Sequence, residues 1–439
     1  MASKRPFMES ATPARGRLPN PAPLAAAGVD IPCLRCYNCH ITEEVMDTAH
    51  LSHIQEALDG AVASQFLAGA SCLVFQGGRE QGYWQAGFAD RENKVPFARD
   101  TICRMYSMTK PVTSVAAAVL LQEGKIDLME ELDSYIPEFS RISYCDKNGK
   151  VKESSRQILL KDLMNMTSGL SYGGEENDGR KRTSELIREL DLKADRSDGM
   201  DTQEFASLLG FVPLDFVPGS SWEYGLSADV MGAVIEKASG IKFSEFLQTK
   251  LFGPLGMKDT AFYVPQDKQS RLAKVYDCSN KKKGCTLFTE NRLGVSNKMT
   301  RPPRFESGGA GLVSTVDDYM KFCLMLLGRG SYGGVKILSG RAADFIGSGC
   351  LDRRQQKAFE RTQPQLPGYS YANLMRVMKE PGRSLTVSEK GEFGWDGWLG
   401  TFMLVDRANE LAVVLMMQRV DTGLSPVARK IKNIIYTAL

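Results

Sequence analysis

The stretch that most constrains this chain is the segment at residues 112–121, which carries no charged side chain. A segment without a polar face predicts a helix buried on all sides, and Gly124 supplies a glycine stop for it. Pro111 fits the start of the helix, where backbone N–H groups lack intrahelical partners. At 439 residues the chain is long enough to build a sizeable core, as one large domain or two.

Two reactive side chains stand at the start of this helix. Ser107 and Lys110 are three residues apart, so one helical turn brings them to the same face. Burial would lower the pKa of the lysine and let its amine accept the serine proton, while the helix N-terminus favours developing negative charge. The alternative is a helix-capping serine beside a solvated lysine. The first interpretation predicts that Ser107 is a nucleophile.

Histidine content narrows the choice of base for such a nucleophile. The chain has three histidines, His40, His50 and His53, all close to the N-terminus. A Ser-His-Asp hydrolase needs an imidazole beside its serine, and no residue after 53 can supply one. The base for Ser107 is therefore predicted to be a lysine or a tyrosine.

The composition is that of an ordinary soluble globular protein, with 43% hydrophobic and 24% charged residues. A formal net charge of +3 gives no electrostatic reason to expect nucleic acid or a membrane surface as a partner. No apolar run approaches the ~20 residues needed to cross a bilayer, and the basic N-terminus has no signal-like apolar core. We therefore expect a cytoplasmic protein whose ten cysteines are reduced thiols.

A cysteine cluster near the N-terminus raises the question of a metal site. Cys33, Cys36 and Cys39 have a spacing that could ligate zinc, with a histidine as a further ligand. Structural zinc sites usually pair two separated ligand couples, and no second C-x-x-C follows. The prediction is an exposed cluster of reduced thiols, with no metal and no other cofactor.

The order of predicted elements gives the domain organisation. Residues 1–42 lack periodicity and are predicted to be a flexible extension, followed by a helix within 43–69 and a β-hairpin at 70–75 and 80–89. Helices dominate the middle, and strands return at 371–378, 401–406 and 411–418 before a helix that starts at Ser425-Pro426. Strands at both ends around a helical middle predict an α+β fold: one sheet built from both termini, with an inserted helical domain. The sheet domain would comprise 43–106 and 331–439, the helical domain 107–330, and the active site would lie between them.

Local signals in the helical middle give more specific expectations. Helices are predicted at 158–164, 184–190, 205–209, 230–238 and 319–327. Their N-terminal caps would be Asp201 with Glu204, Ser227, and Thr315 with Asp318. The charged stretch 173–200 is predicted to be a mobile insertion around its short helix, and the polar stretch 267–300 a long surface loop.

Three further stretches stand in order along the chain. The first places Tyr224 in a loop just before a helix, in the sequence Trp222-Glu223-Tyr224-Gly225-Leu226-Ser227. The second is a glycine-rich turn containing Gly308, Gly309 and Gly311, which we expect to be structural. The third enters a strand as Trp395-Asp396-Gly397-Trp398.

Together with Ser107-Met108-Thr109-Lys110, these stretches resemble the serine β-lactamase and penicillin-binding-protein superfamily. The resemblance runs from about residue 46 to 437 and is strongest to the class C-like branch of family VIII-type esterases, D-aminopeptidases and lovastatin-type acyltransferases. It implies a β-lactamase-like fold in which an antiparallel sheet is flanked by helices.

The resemblance also implies roles for individual residues. Ser107 would attack a carbonyl to form an acyl-enzyme, Lys110 would assist its deprotonation, and Tyr224 would be the second proton carrier. Which of the last two is the formal base stays open. The backbone N–H groups of Ser107 and Trp398 would form the oxyanion hole.

Departures from the family motifs bear on the substrate. Leu226 stands where the tyrosine motif often has asparagine, and Trp395 stands where lactamases and transpeptidases have a lysine that helps hold a substrate carboxylate. Asp396 is unusual at its place, and Trp398 is bulkier than expected. These changes favour neutral acyl esters, although a residue such as Arg376 could restore the positive charge.

The resulting hypothesis is a serine esterase or acyltransferase that acts on small-molecule acyl esters through Ser107. The alternatives are a β-lactamase or D-peptidase-type amidase, and a non-catalytic scaffold with the same fold. Hydrolysis and acyl transfer differ in whether water or another nucleophile reaches the acyl-enzyme, and no sequence motif decides between them. Oligomeric state has no sequence signal here.

Overall fold

The structure is a computed structural model that describes residues 46–280 and 282–439. The predicted extension at 1–42 and its cysteine cluster lie outside the described residues. Within the described ranges, twelve α-helices run as follows: α1 His53–Ala63, α2 Thr109–Gln122, α3 Leu160–Asn165, α4 Asp178–Lys193, α5 Thr202–Leu209, α6 Ser227–Ser239, α7 Phe243–Leu247, α8 Gly253–Leu255, α9 Val316–Leu327, α10 Gly340–Ile346, α11 Arg353–Thr362 and α12 Pro426–Thr437.

Sixteen strands lie in the same described part of the chain. They are β1 Gly69–Gln76, β2 Arg79–Asp90, β3 Val95–Pro96, β4 Cys103–Arg104, β5 Ser143–Cys145, β6 Val151–Glu153, β7 Val275–Asp277, β8 Thr286–Phe288, β9 Val313–Ser314, β10 Ser331–Tyr332, β11 Val335–Lys336, β12 Tyr369–Ala372, β13 Met375–Met378, β14 Phe393–Asp396, β15 Phe402–Asp406 and β16 Leu411–Met417. Short 3-10 helices occur at His50–Ser52, Tyr106–Met108, Leu132–Ser134, Pro137–Ser140, Gln266–Arg271 and Pro381–Arg383, and a π-helical turn occurs at Gln248–Phe252.

The main sheet joins the two ends of the described chain. Its order is β12-β13-β14-β15-β16-β1-β2-β3, and every neighbouring pair is antiparallel. The first long strand, β1, pairs with the last, β16, with Leu73 opposite Val414. This confirms the predicted α+β fold with an antiparallel sheet formed by both termini. The predicted division into two domains stays a prediction.

Helices cover both faces of the sheet, and side chains along the central strands pack against the two faces in alternation. Ala70, Cys72 and Val74 of β1 pack in one apolar cluster with α1 and α12. Leu73, between them, belongs to the other cluster, which contains residues of α2 and α9. Successive side chains of a strand point to opposite faces, so these apolar runs fit a sheet buried on both sides.

Helix α2 is enclosed on all sides, as the uncharged segment predicts. Each of its residues from Thr109 to Leu120 is buried. The chain leaves the helix through Gly124, which has a left-handed φ of +67°, and Lys125 N–H donates back to Leu120 O. Burial therefore extends to the polar side chains at the start of the helix, including Lys110.

The charged stretch at 173–200 does not have the short helix at 184–190 that we expected. It contains α4, a 16-residue helix that Asn177 caps by accepting from the Arg180 N–H. The Arg180 side chain is paired with Asp215 and Glu223. These ion pairs hold the helix against the segment that leads to Tyr224. Apolar periodicity in the sequence does not reveal a helix that is held by ion pairs.

Two predictions for the polar stretch at 267–300 are also wrong. The segment contains the antiparallel pair β7 and β8 rather than an uninterrupted loop. This pairing brings Cys278 and Cys285 together, and the two form a disulfide, so these cysteines are not the reduced thiols we expected.

Two local boundaries differ from expectation. Residues 371–378 form two strands joined by Asn373 and Leu374, which both have positive φ, rather than one strand. Ser227 is the first residue of α6 instead of its cap, and its hydroxyl lies 2.8 Å from the Ser168 hydroxyl. The caps predicted at Asp201 and Thr315 are confirmed.

Among the described residues, no helix is long and apolar enough to span a bilayer. The same residues contain no group of three or more His, Cys, Asp or Glu side chains arranged to hold a metal ion.

Candidate active site

Ser107 lies at the junction between a short strand and the buried helix. Strand β4 pairs with β9, and the 3-10 turn Tyr106–Met108 then leads directly into α2. Tyr106 has a φ of +44°, a left-handed conformation that is costly for a bulky residue. Ser107 is therefore held at the helix start, where it is 8% exposed.

Lys110 directs its amino group to three acceptors. Its Nζ donates to Ser107 Oγ at 3.2 Å, to the Tyr172 hydroxyl at 2.9 Å and to the Gly309 carbonyl at 2.9 Å. Burial of the side chain lowers the pKa of Lys110 from 10.5 to about 8. A substantial fraction of this amine is therefore neutral near pH 8, which is the state that can accept a proton from Ser107.

The glycine-rich turn positions this amine from the far side. The Gly308 carbonyl accepts from Thr113 Oγ1 at 2.6 Å, and Gly309 N–H donates to Asp229 Oδ1 at 3.0 Å. A Cβ atom at Gly309 would lie only 2.6 Å from Asp229 Oδ2, so the approach of the carboxylate requires glycine. The turn thus connects a buried carboxylate on α6 to the amine on α2.

Asp229 also acts on Lys110 through space. Burial raises the pKa of Asp229, and the nearby Lys110 opposes that rise. In the other direction, the Asp229 charge favours the protonated form of Lys110. The carboxylate is a counter-charge for the amine that acts through the Gly309 backbone and through space.

Tyr224 lies on the other side of Ser107. The Trp395 indole N–H donates to the Tyr224 hydroxyl at 2.8 Å, and Lys110 Nζ lies 4.7 Å from the centre of the Tyr224 ring. Burial raises the pKa of Tyr224, while hydrogen bonds with Ser107 and Trp395 lower it. The structure therefore brings Ser107, Lys110 and Tyr224 into one group, as the sequence motifs predict.

Aromatic rings fix the orientation of Tyr224. The Trp222 ring stacks on it with centroids 6.2 Å apart, the Trp395 ring lies 5.4 Å away, and the Tyr172 ring meets its edge at 5.7 Å. Such contacts restrict the phenol to one rotamer and limit water near its hydroxyl. The surroundings of the Tyr224 ring are largely aromatic, with the Lys110 amine against its face.

Strand β14 brings the third motif to the helix start. Thr401 Oγ1 donates to the Met105 carbonyl at 3.1 Å. A Cβ at Gly397 would lie 2.4 Å from the same carbonyl oxygen, so only glycine allows this approach. Trp398 follows at once, which places its backbone beside the turn that carries Ser107.

Contacts on several sides fix the orientation of the Trp398 side chain. Its ring packs on the Tyr106 ring at 5.0 Å and on the Phe288 ring at 5.6 Å. Its indole N–H donates to Asp421 at 2.5 Å, and the Arg292 guanidinium lies 4.8 Å from the ring. Trp398 therefore forms a fixed wall on this side of the site.

Leu226 and Asp396 have different environments. Leu226 is 3% exposed and packs in the main apolar cluster. Asp396 is partly exposed and forms an ion pair with Arg376, with a distance of 2.6 Å between Nη1 and Oδ1. The positive charge that Arg376 could have supplied is already matched by a carboxylate of this chain.

Sequence reasoning missed two residues of this group, Tyr172 and Asp229. Tyr172 follows the loop after α3, at the edge of the stretch predicted to be mobile, and nothing in its sequence distinguishes it from a packing tyrosine. Asp229 lies in the first turn of α6, where an acidic residue is favoured by the helix dipole alone. Every residue from Ser227 to Ile235 is buried. The one signal that could have identified Asp229 is that it is an ionisable residue within an otherwise uncharged run of this helix.

Comparison with known proteins identifies the family of the chain. The family model described as Beta-lactamase matches residues 54–434. The chain is 26% identical over 409 residues to "Esterase EstB" of Burkholderia gladioli, covering 89% of this chain and 96% of that protein. It is also 26% identical over 290 residues to "Monacolin J acid methylbutanoyltransferase" of Aspergillus terreus, covering 64% of this chain and 65% of that protein.

The fold has well-matched counterparts among solved structures. "EstCE1, a hydrolase with promiscuous acyltransferase activity" superposes with a TM-score of 0.72 at 23% identity, covering 89% of this chain and 99% of that one. Similarity at this level of identity supports the fold, and the family match covers most of the chain. The chain therefore belongs to the Beta-lactamase family, whose members related to it include an esterase and an acyltransferase.

Proposed function

We propose that this protein is a serine esterase that cleaves neutral acyl esters through an acyl-enzyme on Ser107. The observation that carries the proposal is the buried amine of Lys110, held 3.2 Å from Ser107 Oγ with a pKa lowered to about 8. A buried lysine costs stability, and its placement beside a serine serves proton transfer. The relationship to an esterase supports the same reaction class.

Acylation begins with proton transfer from Ser107 to neutral Lys110. The serine oxygen forms a bond to the ester carbonyl carbon, and the carbonyl oxygen takes the negative charge. The backbone N–H groups of Ser107 and Trp398 would stabilise that oxyanion, aided by the N-terminus of α2. Collapse of the intermediate breaks the bond to the alcohol oxygen, which takes a proton from Tyr224 or Lys110.

Deacylation repeats these steps with a new nucleophile. Water, or the hydroxyl of an acceptor alcohol, attacks the acyl carbonyl and gives its proton to the group that protonated the departed alcohol, which is either the neutral Lys110 amine or the Tyr224 phenolate. Ser107 regains its proton when it leaves. Acyl transfer therefore needs no residue beyond those of hydrolysis, and the ratio of the two depends on the acceptor concentration.

The surroundings of Ser107 favour uncharged substrates. Tyr172, Tyr224, Trp395 and Trp398 supply aromatic surface around the nucleophile. Two guanidinium groups lie against these rings: Arg376 is paired with Asp396, and Arg292 lies 4.8 Å from the centre of the Trp398 ring. Transfer of an unpaired carboxylate from water to such a site costs several kcal/mol.

Active-site labelling tests the proposal directly. A fluorophosphonate should form one adduct, on Ser107, and mass spectrometry should locate it there. Ser107→Ala should remove both the adduct and the turnover of a p-nitrophenyl ester. Ser114→Ala is the matched control, because Ser114 is a buried serine of α2 seven residues after Ser107, and this variant should label and turn over normally.

Three results would count against the proposal. An adduct on another serine would reassign the nucleophile. A folded wild-type protein that neither labels nor cleaves any ester of a panel from acetate to octanoate would favour the scaffold alternative. A chromogenic cephalosporin with a kcat/KM equal to or above that of the best neutral ester would favour the β-lactamase alternative.

A further inference from the structure

The ion pair between Asp396 and Arg376 lies in the segment that flanks the nucleophile. Asp396 is the last residue of β14, directly after Trp395, which binds Tyr224, and directly before Gly397, which packs on the Met105 carbonyl. Its charge acts on both Lys110 and Tyr224. A change at Asp396 therefore alters the field at the reacting atoms.

Arg376 is fully enclosed, whereas Asp396 is open on one side. The side chain of Arg376 is 3% exposed and that of Asp396 is 17% exposed. The guanidinium lies on the neighbouring strand β13, 5.7 Å from the Trp395 ring and 5.0 Å from the Phe402 ring. The accessible member of the pair is thus the carboxylate, and the guanidinium lies behind it.

Within the described residues, Asp396 is the carboxylate within ion-pair distance of Arg376. A substrate carboxylate that approached this strand would meet the negative charge of Asp396 before it could reach Arg376. Like charges at short range repel in a site of low polarity, and a built-in repulsive group is an efficient means of discrimination. Neutral substrates would not experience this repulsion.

We propose that Asp396 is a specificity-determining residue, which neutralises Arg376 and excludes esters that carry a carboxylate near the scissile bond. The inference rests on the proposed esterase function. It adds that the part of the substrate that faces β14 must be uncharged. It further assigns Arg376 as a buried positive charge that is left unmatched, and so attracts an anion, when the charge of Asp396 is removed.

A matched pair of substrates separates the effect of a substrate's negative charge from the effect of its size. The anion 3-acetoxybenzoate and the neutral 3-acetoxybenzamide carry the same acetate ester on rings of nearly equal size. The readout is the ratio of kcat/KM for the anion to kcat/KM for the amide, because loss of packing would affect both substrates alike. In Asp396→Asn this ratio should rise by about tenfold or more relative to wild type.

Two further variants make the test independent of one substitution. Asp396→Thr removes the same charge with a smaller side chain and should raise the ratio in the same direction. Asp396→Asn combined with Arg376→Gln should return the ratio towards the wild-type value, since the gain requires the unmatched positive charge of Arg376. An unchanged ratio in an Asp396 variant that still cleaves the amide would overturn the inference.

Inhibition of the wild-type protein provides a test that needs no variant. The phenol product 3-hydroxybenzamide should inhibit at a concentration about tenfold below that required for the corresponding product 3-hydroxybenzoate. Equal inhibition by the two, or stronger inhibition by the anion, contradicts the role of Asp396. Absence of any turnover of the amide ester by wild type would instead count against the esterase proposal, so the two failures can be distinguished.

Discussion

Lys110 Nζ and the Tyr172 hydroxyl are joined by a 2.9 Å hydrogen bond, shorter than the 3.2 Å bond from the same amine to Ser107. The two phenols of the site therefore relate to the amine differently. Tyr172 accepts a hydrogen bond directly, whereas Tyr224 presents the face of its ring. This difference separates their expected roles, because a bond to the hydroxyl holds the amine in place and leaves Tyr224 to exchange protons with Ser107.

Substitution of each tyrosine by phenylalanine tests that separation. Tyr224→Phe should lower kcat by about 10²- to 10⁴-fold, the usual cost of losing a group that transfers protons. Tyr172→Phe should have a smaller effect on kcat and should lower the pH of half-maximal rate, because the ammonium loses an acceptor that stabilises it. Steady-state kinetics from pH 6 to 10 would measure both effects. Near-normal turnover by Tyr224→Phe would move the proton-carrier role to Tyr172.

Lys110→Ala and Tyr224→Phe should be strongly non-additive. Each should lower kcat by orders of magnitude, since both residues take part in the same proton transfers. The double variant should be far more active than the product of the two single effects predicts. Effects that multiply would show that the two side chains act in independent steps.

Asp229→Asn should shift the pH dependence of the reaction. Acylation requires neutral Lys110, so the rate should rise with pH up to about pH 8, where the pKa of Lys110 lies. The Asp229 charge favours the protonated amine, so its removal lowers that pKa and moves the rising limb to lower pH. The amide can still accept from Gly309 N–H, so the rate on the plateau should stay within about tenfold of wild type.

The matched control for Asp229 is Asp318→Asn. Asp318 is a buried carboxylate on α9 that accepts from Asp259 N–H and lies outside the group around Lys110. Substitution of Asp318 should leave the rising limb of the pH–rate profile at the same pH as in wild type. A limb that does not move in Asp229→Asn, with a lower rate at every pH, would reduce Asp229 to a purely structural role.

Lys110→Met should change how stability depends on pH. In the folded protein the pKa of Lys110 is lowered from 10.5 to about 8. Between these values the unfolded chain holds a proton on this lysine that the folded protein has released, so raising the pH stabilises the fold. The free energy of unfolding of wild type minus that of Lys110→Met should therefore rise by up to about 3 kcal/mol from pH 8 to 10.5. A difference that is flat over this range, measured by urea denaturation, would contradict the lowered pKa.

Trp398→Ala should shift preference towards larger acyl groups. The ring is a fixed wall packed on Tyr106 and Phe288, so its removal enlarges the site without displacing the Trp398 backbone. The ratio of kcat/KM for octanoate to that for acetate should rise by about tenfold. Trp84→Ala, on strand β2, is the control and should leave the ratio unchanged.

Local sequence patterns were sufficient where one element determines the outcome. The uncharged segment predicted the buried helix α2, and Ser107 and Lys110 are three residues apart, so their contact follows from helical geometry. The sheet built from both termini followed from the position of strand-like segments at each end. The short motifs around Tyr224 and Gly397 predicted their proximity to Ser107 through the family resemblance.

Contacts between segments that are distant in the sequence could not be predicted from local patterns. The bond from Lys110 to Tyr172 spans 62 residues and depends on the loop after α3. Helix α4 was misjudged because its anchoring comes from ion pairs of Arg180 rather than from an apolar stripe. The pairing of Cys278 with Cys285 depends on β7 and β8, two strands of three residues each, too short for a pattern of alternation.

The central position of β1 has a consequence for biosynthesis. This strand is buried along most of its length and forms one of its two ladders with β16, which the ribosome makes more than 300 residues later. Until then an apolar strand has an unpaired edge, the kind of surface through which incomplete chains associate. Nascent chains released before β16 should therefore be targets for chaperones, and catalytic competence should arise only after the C-terminal strands have left the ribosome.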